Sequence, residues 1–282
     1  MLGAVRVVRA TNVAVSFAGT VVGGLAAITV HVPFSELRWT LLLLAATSAA
    51  LVTAGGNVLN DLEDLEGDRV NHPDRPLVTG ELGLPAARRL TTGLFLSGAL
   101  LAVPVALAEP WVAAILAVAV AGLVGYELRL KARGLVGNFT VGGLTAMVLL
   151  YGGASVGEPL VVVPFAAMAF LATLSREVIK DMEDVRGDVD RSTLPKTHGL
   201  RAASAVARTV TAAAIALSMV PLLWFVRVSS WGGLAYLLVV GVADALFVVS
   251  VALLPQRLRL EQTVSKGAMA VALCAFLAVA FR

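Results

Sequence analysis

Runs of about twenty apolar residues recur along the whole 282-residue chain, and nothing else in the sequence restricts its fold as much. A helix of that length crosses the hydrocarbon core of a bilayer. Nine such spans can be drawn, roughly at 11–32, 40–60, 90–107, 111–128, 136–156, 160–180, 202–225, 231–254 and 263–281. The fifth is the least regular, because Gly142, Gly143, Gly152 and Gly153 interrupt it. Charged residues make up only 15% of the chain, against about 25% in an ordinary soluble domain. Ala, Val, Leu and Gly supply most of the apolar mass, and small residues let membrane helices approach closely. The alternation of membrane β-strands is absent. The expectation is an all-α integral membrane protein, a nine-transmembrane-helix bundle, with residues 1–282 in a single multi-pass domain. Arg6 and Arg9 precede the first run as in a signal peptide. That run continues to about Val32 and more spans follow, so it reads as the first helix.

Basic residues favour the cytoplasmic side of membrane proteins. With the N-terminus placed inside, all of the 22 Lys and Arg residues except Arg38, Arg227 and Arg282 fall on the inner side. The C-terminus is then outside. This division accounts for the net charge of +3 through topology, with no nucleic-acid footprint required.

The long polar connections follow the second and sixth spans, and both are entered through the same motif. Asn57 to Asp68 reads NVLNDLEDLEGD, and Glu177 to Asp188 reads EVIKDMEDVRGD, 120 residues later. Asp61, Asp64, Gly67 and Asp68 match Asp181, Asp184, Gly187 and Asp188. Each motif leads into a loop with a proline and then a glycine, within the stretches 57–76 and 177–195 and just beyond them. Four spans separate the two, so they lie on the same side of the membrane and the internal repeat is parallel. At about 100° per residue, Asn57, Asp61, Asp64 and Asp68 share one helical face, while Glu63 and Glu66 point elsewhere. Gly67 and Gly187 read as helix terminators.

Carboxylates crowded on one face repel one another. They also sit at helix C-termini, where the macrodipole disfavours negative charge, and at the edge of a membrane, where acids are costly. Two such clusters facing each other would suit Mg²⁺, which takes a few carboxylates together with water and substrate phosphate oxygens. The implied ligand is a diphosphate held through metal ions, with Arg75, Lys131, Lys180 and Arg191 completing the cradle. The plain alternative is a set of solvated charges at span ends, which matched spacing in two places disfavours. A calcium loop of the D-x-[DN]-x-[DN]-G-x5-E type does not occur. A cation transporter built on paired acidic repeats is the alternative of another class. Parallel orientation and sites at the membrane edge count against it.

The run N-D-x-x-D-x-x-x-D at Asn60–Asp68, with D-x-x-D-x-x-x-D at Asp181–Asp188, resembles the UbiA superfamily of membrane prenyltransferases. The similarity extends from Arg9-Ala10-Thr11-Asn12 to the ninth span. Within the superfamily, SREVIKDMEDVRGD followed by STLPKTHG, and YELRLKARGLVGN at Tyr126–Asn138, are similar to the archaeal digeranylgeranylglyceryl phosphate synthases. The resemblance implies a UbiA-like bundle that uses Mg²⁺ to ionise geranylgeranyl diphosphate. The allylic cation is then attacked by the sn-2 hydroxyl of geranylgeranylglyceryl phosphate, which forms the second ether of archaeal membrane lipids. Prenyl transfer to an aromatic acceptor, such as a quinone precursor or a chlorophyll-type ring, is the alternative within the superfamily. The resemblance makes Asn60, Asp61, Asp64 and Asp68 the first metal–diphosphate site and Asp181, Asp184 and Asp188 the second. Asn57, Arg75, Tyr126, Lys131, Lys180 and Arg191 are expected at the diphosphate, and Arg9, Asn12 and Arg176 at the acceptor. Relatives often carry proline where this chain has Ala10.

Asp244 lies near the middle of the eighth span, where a charge is expensive; it either lines the cavity or hydrogen-bonds a neighbouring helix. Trp39, Trp111 and Trp231 stand at span entrances and read as interface anchors. Cys274, the single cysteine, excludes an internal disulfide and reads as a small buried apolar residue. His31, His72 and His198 form no metal-binding spacing.

Overall fold

The computed structural model describes residues 2–31, 37–185, 192–224 and 226–280, and among them the only regular elements are helices. In chain order they are α1 (Leu2–Val7), α2 (Ala10–His31), α3 (Trp39–Glu63), α4 (Leu65–Asn71), α5 (Leu84–Ala108) and α6 (Trp111–Gly125). A π-helical turn, Tyr126–Leu130, continues α6. Then come α7 (Leu135–Ser155), α8 (Val163–Asp184), α9 (Leu194–Leu217), α10 (Val220–Trp224), α11 (Trp231–Ala252) and α12 (Leu258–Ala278). Prolines open α5, α8 and α9, where the missing N–H costs nothing and the fixed φ suits a first turn.

Among the described residues, seven helical segments are long and apolar enough to cross a membrane: α2, α3, α5, α6 with its π turn, α7, α9 with α10, and α11. The sixth and ninth expected spans form α8 and α12, which carry both more charge and the polar side chains described below. Several helices outrun their expected spans. α5 begins at Leu84, before Arg88 and Arg89, and α12 begins at Leu258. Hydropathy marks where lipid begins, and backbone hydrogen bonding continues past that point. In the seventh span α9 ends at Leu217 and the chain resumes as α10. Pro221 lacks an N–H and its ring would clash with the carbonyl of residue 217. The glycines of the fifth span do not interrupt α7.

Those glycines act in packing instead. A Cβ on Gly152 would lie 1.9 Å from the Thr20 carbonyl oxygen, and one on Gly23 would lie 2.2 Å from that of Leu149. α2 and α7 therefore meet backbone to backbone. Lipid tails are as apolar as leucine, so close packing and interhelical hydrogen bonds hold such a bundle. Ser48 of α3 donates to the Gly98 carbonyl of α5 at 2.7 Å and lies 3.1 Å from the Tyr151 hydroxyl of α7. Ser175 of α8 donates to the Ala207 carbonyl of α9 at 3.1 Å. Phe165 of α8 stacks on Phe276 of α12, with ring centroids 4.8 Å apart.

Helix neighbours repeat between the two halves. α3 packs on α2, α5 and α7; four spans later, α8 packs on α7, α9 and α12. α6 lies against α5 and α7, as α11 lies against α9 and α12. The motif helices α3 and α8 thus have equivalent surroundings, and α12 closes the bundle by meeting both α2 and α8.

Candidate active site

The junction of α1 and α2 sets one wall. Arg9 sits there with φ 54°, a left-handed conformation that costs a non-glycine residue about 1 kcal/mol or more. It donates through Nη2 to Asn60 Oδ1 at 2.8 Å and to Asp61 Oδ1 at 2.5 Å. Asn12 donates to Asn57 Oδ1 at 3.3 Å, and Asn57 donates to the Val8 carbonyl at 2.7 Å. The start of the chain is thereby tied to the first motif. Arg9 and Asn12, expected at the acceptor, hold motif residues.

The first motif bends midway. α3 stops at Glu63, Asp64 takes φ −88° and ψ 3°, and α4 restarts at Leu65. Gly67 lies inside α4 and terminates nothing; a Cβ there would meet nothing within 4 Å. The break redirects the carboxylates that an unbroken helix would stack on one face. Arg75, from the following loop, bridges Asp61 at 3.2 Å and pairs closely with Asp68. Asp64 pairs with Lys131 from the end of α6. Asn60 donates to Asp64 Oδ2 at 3.1 Å and to Glu127 Oε2 at 2.9 Å, and Glu127 pairs with Lys131 at 3.3 Å. Asp61 is almost wholly buried. A buried carboxylate without partners is strongly destabilising, and here two guanidinium groups satisfy it.

In the second motif, buried Asp181 accepts from Asn138 Nδ2 of α7 at 2.8 Å. Arg176 pairs with Glu177 at 2.7 Å. Glu183 accepts from Gln262 at 2.9 Å and Arg259 at 3.2 Å, which fastens α8 to α12. Asp188 and Arg191 lie outside the described residues.

Both motifs open on one cavity of about 1440 Å³, above the roughly 300–1,000 Å³ of ordinary ligand pockets. Arg9, Asn12, Asn57, Asn60, Asp64, Asp68, Arg75, Tyr126, Lys131, Arg176, Lys180 and Asp184 all line it. Asp61 and Asp181, the first aspartates of the two motifs, are absent from the lining; they stand behind it and fix their neighbours. Glu63, expected to point away, lines the rim because the helix ends there, whereas Glu66 does point outward, to Arg69. Away from the motifs the walls are apolar, with Leu116 and Leu123 of α6, Leu144 and Val148 of α7, and Leu273 and Phe276 of α12. Asp244 lines this region and also accepts from Ser218 Oγ at 2.8 Å, so both of its expected roles coincide. Cys274 is exposed on α12, not buried. Trp39, Trp111 and Trp231 are exposed at helix starts, as anchors would be.

Sequence reasoning missed two residues. Glu127 sits inside the quoted stretch, four residues before Lys131, but only the π turn aims it at Asn60. Asn138 is a polar residue in an apolar helix, and no spacing links it to Asp181.

No group of three or more His, Cys, Asp or Glu among the described residues could hold a metal ion by itself. Among the oxygen donors that line the cavity, the motif side chains of Asn60, Asp64, Asp68 and Asp184 are hard ligands. That set fits a small divalent cation which keeps water and shares phosphate oxygens, not a closed protein cage.

The UbiA prenyltransferase family profile matches residues 13–280. The digeranylgeranylglyceryl phosphate synthase of Methanoculleus marisnigri is 38% identical over 247 residues, covering 85% of this chain and 82% of the relative. A solved structure of digeranylgeranylglyceryl phosphate synthase superposes with a TM-score of 0.82 at 27% identity, covering 99% of this chain and 97% of that one. A UbiA homologue from Archaeoglobus fulgidus, solved with GPP and Mg²⁺, superposes with a TM-score of 0.73 at 18% identity, covering 98% and 99% of the two chains.

Proposed function

Because the chain belongs to the UbiA prenyltransferase family, we propose that it transfers a geranylgeranyl group from geranylgeranyl diphosphate to the sn-2 hydroxyl of geranylgeranylglyceryl phosphate. The observation that carries this reading is the 38% identity to a digeranylgeranylglyceryl phosphate synthase in a chain whose two Asp motifs open on one cavity. A polar end beside a long apolar chamber suits two lipid-tailed substrates that react at their head groups.

The C1–O bond of the donor breaks to give an allylic cation and diphosphate. The acceptor oxygen bonds to C1 and its proton passes to the released diphosphate, directly or through water. Mg²⁺, bound with GPP by the Archaeoglobus homologue, would be held here by Asn60, Asp64, Asp68, Asp184 and Asp188, where it supplies positive charge to the departing diphosphate. Lys131 and Arg75 stand at the same end and can turn from Asp64 and Asp68 to the diphosphate oxygens as charge develops there. Arg191 belongs to this group by its place in the second motif. Asp61 and Asp181 are positioning residues: through Arg75 and Asn138 they fix the groups around them. Tyr126 and Asn57 shape the wall. The apolar remainder of the cavity keeps water from the cation.

The whole-chain reading is a nine-span bundle in which α8 and α12 also cross the membrane. The N-terminus and the motif end face the cytoplasm.

Purified protein in Mg²⁺ buffer should release diphosphate from geranylgeranyl diphosphate only when geranylgeranylglyceryl phosphate is added, with the diether detected by mass. Equal turnover with a hydroxybenzoate or naphthoate acceptor would sink the lipid assignment.

A further inference from the structure

The cations that line the cavity fall into two groups. Arg9, Arg75 and Lys131 are each bound to a carboxylate of the first motif, and Arg176 to Glu177 of the second. Lys180 of α8 and Lys266 of α12 line the same cavity, and neither makes an ion pair or side-chain hydrogen bond among the described residues. Of the acids around Lys180 on α8, Asp181 accepts from Asn138, Glu177 pairs with Arg176 and Glu183 is held by Arg259 and Gln262, while Asp184, four residues on, lines the cavity beside it.

The two lysines are brought together by helix register. α8 and α12 run antiparallel, with Phe165 on Phe276 at one end and Glu183 on Gln262 at the other. Lys180 is three residues before Glu183, and Lys266 is four residues after Gln262. Residues three or four apart share a helical face. The lysines therefore stand one turn further in than a directly bonded pair, on the sides of α8 and α12 that carry it, within about one helical turn of the same depth. Both lysines are open to the solvent-accessible cavity and neither is in an ion pair among the described residues, so at one depth they offer two ammonium groups to an incoming anion.

We propose that Lys180 and Lys266 bind the phosphomonoester of the lipid acceptor, separately from the diphosphate cradle of the first motif. This rests on the acceptor assigned above. In that acceptor the attacked hydroxyl and the phosphate are on adjacent glycerol carbons, so the phosphate must bind within a few ångströms of the reacting carbon. The lysine pair lies one to two helical turns from Asp184 of the second motif, which meets that requirement. Arg9, an acceptor candidate by sequence, is held by Asn60 and Asp61, and Lys180 passes from the diphosphate to the acceptor.

The test is steady-state kinetics of Lys180→Met, Lys266→Met and Lys266→Arg in detergent, with each substrate varied in turn. Losing one charged hydrogen-bond donor should raise the acceptor KM about ten-fold or more. The KM for geranylgeranyl diphosphate should stay within about two-fold, and Lys266→Arg should keep most of the acceptor affinity. The unphosphorylated acceptor, geranylgeranylglycerol, should show no loss in the Met variants relative to wild type. A rise in donor KM with unchanged acceptor KM would assign the lysines to the diphosphate and overturn the proposal, as would no change in either. Failure of the wild type to use any phosphorylated acceptor would instead overturn the function it rests on, and the lysine site with it.

Discussion

At the scale of single residues, the motif aspartates divide by position. Asp64 and Asp184 line the cavity, and Asp61 and Asp181 are buried behind it with partners of their own. The two groups should fail differently. Asp64→Ala and Asp184→Ala are expected to lower kcat by at least about a thousand-fold while leaving the melting temperature in detergent nearly unchanged. Asp61→Ala removes the buried carboxylate that Arg9 and Arg75 share, leaving Arg75 with Asp68 and Arg9 with Asn60, and should cost about 1–3 kcal/mol of stability, read as a lower melting temperature as well as lost activity. Full activity in both Asp64→Ala and Asp184→Ala would refute a two-motif diphosphate site. The aspartates were legible in the sequence because their spacing recurs after 120 residues. Glu127 and Asn138 were not, because what makes them important is a neighbour far away in the chain.

At the scale of helices, hydropathy located every long element and misjudged several ends. The backbone ladder does not stop at the lipid boundary, so α5, α9 and α12 begin before their apolar runs. The glycines of α7 illustrate a second limit. From sequence they weaken a span; in the fold they let α2 and α7 touch. Gly152→Val, with a Cβ 1.9 Å from a backbone oxygen that cannot rotate away, should destabilise the bundle by about 1–3 kcal/mol or more. Gly143→Ala, where nothing lies within 4 Å of the added Cβ, should be neutral. Melting curves of the two variants in one detergent make the comparison, and equal stability would contradict the close α2–α7 crossing.

At the scale of the molecule, the repeat visible in twelve residues extends to the packing of whole helices, since α3 and α8 have corresponding neighbours. Parallel halves place both motifs at one end of the bundle, where a single cavity collects them. The predicted topology has the N-terminus inside and the C-terminus outside. Reporter fusions after residue 282 and within the loop of residues 72–83 should report opposite sides of the membrane. The same side for both would reverse the parity of spans and, with it, the nine-span reading. On the nine-span reading, α8 and α12 are the less apolar spans because Arg176, Glu177, Lys180 and Asp184 of α8 and Lys266 of α12 line the cavity, where lipid does not reach.

The ion pairs of the first motif also bear on how a cycle ends. Diphosphate is a polyanion, and a site that grips it with lysine and arginine risks being stalled by its own product. On the proposed function, the groups that would grip it have somewhere to return to. Lys131 has Asp64 and Glu127 beside it, and Arg75 has Asp61 and Asp68. The carboxylates act as tethered competitors for the same cations, always present at high local concentration. On that function, departure of the product would exchange one set of charge pairs for another and leave neither cation bare, so the resting arrangement would itself favour turnover.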